Sequence, residues 1–194
     1  MPITDVKDGG GMPFIRYSIQ EMRWYLSTED KDMKEIKMTS PVVIDIENVQ
    51  QGWLAINAGT GRDWVSWGKD NKPTEKPSME HKPGFMMNMY STKMFEDAPV
   101  RQLSSNAVAL NMFMKNLYNA CEKTGNFGSG KVPAVLMLDA KRIKIGKGNS
   151  VEMLFDIKSW VDRPEELDNN VDVVDSNDQQ KSSEEVSDEF DEAI

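Results

Sequence analysis

The chain contains 194 residues with a net charge of −9, a single histidine and a single cysteine. This length suits one domain with a tail, and the lone cysteine excludes an internal disulfide bond. The sequence shows no signal-peptide pattern and no apolar run of about 18 residues, so we expect a cytoplasmic protein that binds no membrane.

The first half of the chain predicts a series of short strands. Residues 1–11 end in three glycines and are expected to form a flexible N-terminus. The segments that follow are rich in β-branched and aromatic residues with partial alternation, and turn-forming residues separate them. We predict strands at 13–19, 41–47, 52–58, 63–67 and 85–90, the second and third of them paired as a hairpin.

The strand at 63–67 contains two tryptophans three residues apart. Because successive side chains of a strand point to opposite faces, Trp64 and Trp67 are expected on opposite sides. Trp64 is predicted to be exposed, and Trp67 is predicted to anchor the core. A proline-rich segment at 71–84 shows no periodicity and is predicted to be a loop in which His81 is exposed.

One amphipathic helix is predicted at residues 104–123. Its apolar residues recur at steps of three and four, which indicates a single stripe that packs once onto a sheet. Ser104 or Ser105 is expected to cap the start, and Gly125 is expected to take the left-handed conformation after the end. The stripe consists of Leu103, Ala107, Leu110, Met114, Leu117 and Cys121.

Three further strands, at 132–139, 142–145 and 151–161, complete a body that we place at residues 12–164. Many short strands with one long α-helix late in the order predict a mainly β fold. An OB-fold-like β-barrel with extra N-terminal strands fits this order, with the helix inserted between its third and fourth strands. A β-sandwich that includes one helix is the alternative, and periodicity alone does not choose between them.

Acidic residues dominate the remaining segment, 165–194, which has twelve carboxylates against Lys181 alone. Its net charge of −11 leaves the body slightly basic, at +2. With few large apolar residues, the segment is predicted to be a disordered tail. An aromatic residue among carboxylates at its end is typical of a docking peptide, although a solubilising tail is the alternative. The predicted partner-binding residues are Asp188, Glu189, Phe190, Asp191, Glu192 and Ile194.

Aromatic and basic residues are interleaved between residues 53 and 95, and a second basic cluster follows at 141–147. Aromatic rings stack on the bases of single-stranded nucleic acid, while a positive groove follows the phosphates. We predict stacking by Trp64, Trp67, Phe85 and Tyr90. We predict phosphate contacts by Arg62, Lys69, Lys72, Lys82, Lys141, Arg142, Lys144 and Lys147.

No enzymatic activity, metal or cofactor is predicted. One histidine and one cysteine far apart in the sequence give no basis for a zinc site or a Ser–His–Asp site. Two carboxylate pairs, Asp45 with Glu47 and Glu152 with Asp156, each share a strand face. They leave a two-metal nuclease site as an open alternative, although exposed strand faces commonly bear acids.

Five segments of the chain follow one another in order: "IENVQQGWLAI", "KPSMEHKPGFMMNMYS", "APVRQLSSNAVALNMFMKNLYNA", "GKVPAVLMLDA" and "FDIKSWVDRPEEL". Over roughly residues 12–167 the chain resembles a widespread set of phage-encoded proteins. Its plan of a body with an acidic tail also resembles phage and bacterial single-stranded DNA-binding proteins. That resemblance implies an OB-fold that binds the strand, and a tail that recruits a replication polymerase, helicase or nuclease in the host cytoplasm. This tail departs from the usual pattern, because Phe190 lies four residues before the terminal Ile194.

Two other functions remain open. Some phage single-stranded DNA-binding proteins recruit a phage RNA polymerase to melted promoters, and this chain is similar enough in plan to act as such a transcription cofactor. It is also open that the chain is an interaction protein that binds no DNA and whose tail mimics nucleic acid. If the tail competes with DNA for a basic groove, its removal should tighten binding of single-stranded DNA and steepen its salt dependence.

Overall fold

The computed structural model describes residues 12–57 and 61–169. Within these ranges the fold is mainly β with one long helix, as predicted. The N-terminus, 1–11, and residues 170–194 of the predicted tail lie outside the described residues. The strands are β1 (Phe14–Ser18), β2 (Arg23–Ser27), β3 (Met33–Ile36), β4 (Val42–Ile44), β5 (Gln50–Asn57), β6 (Gly61–Ser66), β7 (Lys82–Tyr90), β8 (Val100–Ser105), β9 (Lys131–Met137), β10 (Lys141–Ile145), β11 (Gly148–Glu152) and β12 (Phe155–Asp162). The helices are α1 (Val108–Glu122), α2 (Glu165–Asp168) and a 3₁₀ turn (Ile46–Asn48).

Ten of these strands form one curled sheet in the described part of the chain. Its main path runs β12-β9-β4-β7-β8-β1-β2-β3, and β5 joins it by pairing with β7 while β6 pairs with β5. The pairing of β1 with β8 is parallel, whereas the other pairings in the sheet are antiparallel. β10 and β11 form a separate two-stranded sheet. The long β7 therefore joins the β5–β6 hairpin to the rest of the molecule.

The core lies between the sheet and α1. Leu110, Phe113 and Leu117 of α1 belong to one buried cluster with alternate residues of β7, among them Phe85 and Met87. Burial of such side chains is the main favourable term in folding, at about 1.5–3 kcal/mol each. The side of the sheet that α1 covers is called the helix face below. The intervening residues of β7 point to the opposite side of the sheet.

Three local predictions are wrong. The helix begins at Val108 with Ala107 as its N-cap, because residues 100–105 pair with β7 and β1 as the unpredicted strand β8. Ser105 does contribute at the start, since its Oγ accepts a hydrogen bond from the Ala107 N–H at 3.0 Å. At the other end, Lys123 is the C-cap, and Gly125 does not take a positive φ.

The predicted hairpin of residues 41–47 with 52–58 is also wrong. β4 pairs with β7 and β9, whereas β5 pairs with β6 and β7. β4 ends after three residues, and the chain turns at Asp45 into the 3₁₀ turn. The second half of the predicted strand 41–47 is therefore not extended and cannot pair with β5. Two strands that were not predicted, β2 and β3, extend the sheet beyond β1.

The body extends past its predicted end at residue 164. Arg163 forms a bidentate pair with the buried carboxylate of Asp45, with both oxygens 2.7 Å from guanidinium nitrogens. Its Nε also lies 2.5 Å from Oδ1 of Asp168. Leu167 of α2 is completely buried. Residues 165–169 are thus part of the folded body, so the prediction that a disordered tail begins at residue 165 is wrong.

Candidate nucleic-acid interface

The register of the β5–β6 hairpin separates the two tryptophans as the alternation predicted. Trp64 lies opposite Leu54, whereas Val65 lies opposite Trp53, and the Trp67 N–H donates to the Gln51 carbonyl at 3.0 Å. Gln51 pairs with Phe85, so the Trp53 and Trp67 side belongs to the helix face, and Trp64 belongs to the opposite face. Both rings are half-buried, so the contrast of an exposed Trp64 with a core Trp67 does not hold.

The face opposite α1 presents cations and rings, and its carboxylates, Glu21 and Glu35, lie at the β2–β3 edge, where they contact Tyr25 and Arg23. The sequences of β1, β2, β5, β6, β7 and β8 contain a single acid, Asp63, which alternates with Trp64 and points to the helix side. We call this surface the arginine face. Its accessible residues are Phe14, Arg16, Arg23, Tyr25, Arg62, Trp64, Lys82, Met86, Asn88 and Gln102, whereas Leu54 and Ser104 of the same face are buried.

Arg62 joins the two ends of the arginine face. Its guanidinium donates to Oγ of Ser104 on β8, and its Cζ lies 5.8 Å from the centroid of the Phe14 ring on β1. The β5–β6 hairpin therefore curls back over the sheet. Burial, and then the positive charge of Arg16, lower the pKa of Arg62. Arginine nevertheless stays protonated in proteins, so two guanidinium charges are held side by side here.

Neither of these arginines forms an ion pair with a carboxylate in the described part of the chain. The guanidinium of Arg16 lies 5.7 Å from the centroid of the Tyr25 ring instead. Other exposed arginines do have acidic partners, as Arg23 does with Glu35 at 3.1 Å. Two neighbouring cations that lie near rings and form no ion pair of their own favour an anion that also has a flat group.

Trp64 packs tightly on the hairpin that holds it. A Cβ placed on Gly52 would lie 2.7 Å from Cη2 of this ring, so only glycine allows the ring to sit there. The Trp64 Nε1 has no hydrogen-bond partner among the described residues, and the same holds for Oδ1 of Asn88 on this face. Buried polar atoms are usually paired, so both atoms mark places where a ligand or water can complete the surface.

Two of the predicted stacking residues do not lie in this surface. Phe85 is completely buried on the helix face, so its ring is a core side chain and cannot offer a face to a base. Tyr90 lies at the far end of β7, eight residues or about 26 Å from Lys82. Burial and the carboxylate of Glu166 raise the pKa of Tyr90, because its hydroxyl contacts α2.

Trp53 and Trp67 form a separate aromatic pair on the other side of the hairpin, with their ring centroids 5.4 Å apart in an edge-to-face arrangement. The Trp53 Nε1 donates to the Thr74 carbonyl at 3.1 Å, which ties the proline-rich loop to this pair. Lys69 and Lys72 are exposed in the turn that follows Trp67, whose residues Asp70 and Asn71 line a groove on the α1 side. Trp67 thus packs against Trp53, and it does not form one stacking surface with Trp64.

The second basic cluster, at 141–147, also lies away from the arginine face. Lys141, Arg142, Lys144 and Lys147 are exposed on the β10–β11 sheet, whose Val151 is buried in the core cluster on the α1 side. Burial raises the pKa of Tyr17 on the helix face, and the nearby charge of Arg142 acts in the opposite direction. The hairpin is therefore associated with the helix face, on the opposite side of the sheet from Trp64.

His81 is buried, in contrast to its predicted exposure, with 4% of its surface accessible. Its Nδ1 lies 2.7 Å from Oγ of Ser78, and its Nε2 lies 3.1 Å from Oδ2 of Asp63 on β6. These are the residue types of a hydrolase triad. Ser78 is, however, only three residues from His81 and also accepts the Glu80 N–H, as in a turn. These contacts of His81 hold the proline-rich loop against β6.

The most informative members of the arginine face were missed in the sequence. Phe14, Arg16 and Tyr25 come from β1 and β2, and Arg16 pairs in register with Tyr25. A usable signal was present, because "RWYLS" alternates Arg23 and Tyr25 with Trp24 and Leu26. No spacing, however, indicates that Arg16 meets Arg62, which lies 46 residues further along the chain.

No helix within residues 12–57 and 61–169 has the length and apolar character needed to cross a membrane. In the same ranges, no group of three or more His, Cys, Asp or Glu side chains is placed to hold a metal ion. Comparison with protein-family models, with curated proteins and with solved structures gives no match.

Proposed function

We propose that this protein binds single-stranded DNA through the arginine face. The observation that supports the proposal best is the pair Arg16 and Arg62, which lacks carboxylate partners and lies beside Phe14, Tyr25 and Trp64. Phosphates need cations, and bases need flat apolar surfaces, so the two requirements for sequence-independent binding occur on one face. The binding chemistry requires no catalytic group or cofactor.

The curl of the sheet supports an OB-fold-like barrel as the setting of this site. β6 reaches back to β8 and β1 through the contacts of Arg62 with Ser104 and Phe14, as the closure of a small barrel requires. Together with the resemblance to phage single-stranded DNA-binding proteins, this favours a role in phage DNA replication or recombination. The acidic end of the chain, including Phe190, would then recruit the partner enzyme.

The test compares two double variants that remove the same charge from opposite sides of the molecule. We expect Arg16→Ala with Arg62→Ala to weaken binding of a fluorescent dT oligonucleotide at least 10-fold, because each lost phosphate contact reduces counterion release. The matched control is Arg142→Ala with Lys144→Ala on the β10–β11 sheet. Equal losses in the two double variants, or no binding by the unmodified chain at low salt, would contradict the proposal.

Stacking is tested separately at Trp64. We expect Trp64→Ala to weaken binding about 5- to 100-fold, since stacking on a base contributes roughly 1–3 kcal/mol. Trp64→Phe retains a ring and should recover most of the affinity. Thermal unfolding of both variants shows whether the hairpin is intact. If Trp64→Phe binds as weakly as Trp64→Ala while both remain folded, the ring does not act by stacking.

A further inference from the structure

A second surface of the molecule shares only Lys82 with the proposed DNA site. A groove of about 830 Å³ runs along α1 between the helix and the starts of β5 and β7. Its apolar lining includes Val108 and Met112, which are 63% and 43% exposed. Lys82 and Lys115 line it as well, with Asp70 as the single carboxylate among the described lining residues. An exposed apolar groove with basic residues fits an acidic peptide that contains a large apolar side chain.

The same chain contains such a peptide. Residues 170–194 include nine carboxylates and one lysine, and their only aromatic residue is Phe190, between Glu189 and Asp191. A phenylalanine ring would cover Val108 and Met112, while the neighbouring carboxylates would face Lys82 and Lys115. The sign of the charge and the apolar anchor thus both match the groove.

The described chain ends within reach of this groove, with the Glu166 carboxylate against Tyr90 at the far end of β7 from Lys82. Arg163 is bonded to Asp45, which precedes the 3₁₀ turn, and Val49 after that turn lines the groove. Four residues separate Asp45 from Val49, at most about 14 Å. The 20 residues between 170 and Phe190 span about 25 Å even as a flexible coil, which exceeds the roughly 15 Å from Val108 to Tyr118 along α1.

We propose that the segment around Phe190 docks in the α1 groove of its own chain. The inference does not depend on DNA binding by the arginine face. It differs from the expectation that the acidic segment rests directly in the DNA site, because Val108 and Met112 belong to α1 on the helix face and Trp64 lies on the other face. Lys82 belongs to both surfaces, so a docked segment neutralises one cation of the arginine face, and a partner protein must displace it from the groove.

Photo-crosslinking of the full-length chain tests this docking. Phe190 is replaced by p-benzoyl-phenylalanine, the protein is irradiated in dilute solution, and the crosslinked peptides are mapped by mass spectrometry. The benzophenone reacts readily with methionine, so Met79, which is 94% exposed outside the groove, serves as an internal reference for random collision. We expect at least 10-fold more labelling of Met112 than of Met79, within one chain.

Two controls keep the result interpretable. Met112→Asp, at an exposed position that tolerates a charge, should abolish labelling of the rest of α1, whereas Met79→Asp should leave it unchanged. The same photoreactive residue at Gln180 should label the groove several-fold less than it does at position 190. Equal labelling of Met79 and Met112, preferential labelling of the arginine face, or labelling only between two copies would overturn the proposal.

Discussion

Arg101 shows how a single buried residue organises the sheet. Its side chain is 2% exposed, and its guanidinium donates to the carbonyls of Ser27 at 2.8 Å and Phe95 at 3.1 Å, with a longer contact to Phe14 at 3.4 Å. These carbonyls belong to different segments of the chain. The residue therefore joins β8 to β1, β2 and the β7–β8 connection.

Replacement of this residue should be costly. We expect Arg101→Met to lower the free energy of unfolding by about 3–5 kcal/mol, because the buried carbonyls lose their donor. Urea denaturation measures the change. The control is Arg23→Met, which removes an exposed ion pair with Glu35 and should cost less than about 1 kcal/mol. Similar costs for the two variants would show that the buried network contributes little.

Cys121 adds a pH dependence that arises from burial. Burial, and then the charge of Glu47, raise the pKa of this thiol to about 11, whereas an unfolded cysteine ionises near about 8.5–9. Between these values the unfolded chain has released the proton and the native chain retains it. The contribution of the protonated thiol to the free energy of unfolding is therefore fully present below a pH of about 8.5. This contribution falls by up to about 3 kcal/mol as the pH rises to 11.

The comparison with Cys121→Ala isolates this effect. The variant lacks the thiol, so the other groups that titrate at high pH contribute equally to both proteins. We expect the difference in the free energy of unfolding between the two proteins to shrink from pH 8.5 to 11. A difference that stays constant over this range would contradict the burial of a neutral thiol.

The β5–β6 hairpin is the element that gives the arginine face its shape. A Cβ on Gly52 would lie 2.5 Å from the Val65 carbonyl oxygen and 2.7 Å from the Trp64 ring. We expect Gly52→Ala to lower the free energy of unfolding by about 1–3 kcal/mol, since overpacking forces the two strands apart. Trp64 should move with them, which changes the tryptophan fluorescence of the folded protein.

Gly125→Ala is the matched control, because nothing lies within 4 Å of a Cβ at that position and its φ is ordinary. This variant should change stability by less than about 0.5 kcal/mol. The interpretation of the hairpin fails if Gly52→Ala has as small an effect as the control and leaves the fluorescence unchanged.

Local pattern predicted some elements and misled on others. The alternation of "DWVSW" placed Trp64 and Trp67 correctly on opposite faces of the β5–β6 hairpin. The helical stripe was extended backwards because Leu103 falls four residues before Ala107, although Leu103 belongs to β8 and pairs with Met87. Leu103 of the strand β8 and the residues of α1 thus matched a single helical spacing by chance. Only the long-range pairing of β8 distinguishes them.

Tertiary contacts, which have no local signature, decided the candidate site. Alternation in "FMMNMY" separates Phe85, Met87 and Met89 from Met86, Asn88 and Tyr90, but it does not say which set faces α1. The set that contains the purely apolar ring, Phe85, faces the core, and the face left for a ligand is then defined by Arg16 and Arg62 from distant strands. The choice of rings from composition alone failed for this reason at Phe85.

At the scale of the whole molecule, charge is divided among separate surfaces, and this division has a measurable consequence. Eight basic residues were predicted to contact phosphates, but only Arg62 and Lys82 of these lie on the arginine face, where Arg16 joins them and Arg23 is paired with Glu35. In a plot of log affinity against log salt concentration, each phosphate contact with single-stranded DNA contributes about −0.7 to the slope. Three contacts give a slope of about −2, whereas eight give a slope near −6.

We therefore expect the full-length chain to bind a dT oligonucleotide with a slope of about −2. Arg16→Ala should reduce the magnitude of the slope by about 0.7, because it removes one of three contacts. Lys144→Ala, which removes the same charge from the β10–β11 sheet, should leave the slope unchanged. A slope near −6 whose magnitude falls equally in both variants would contradict this expectation. It would mean that the DNA strand extends beyond the arginine face to Lys69, Lys72 and the β10–β11 sheet.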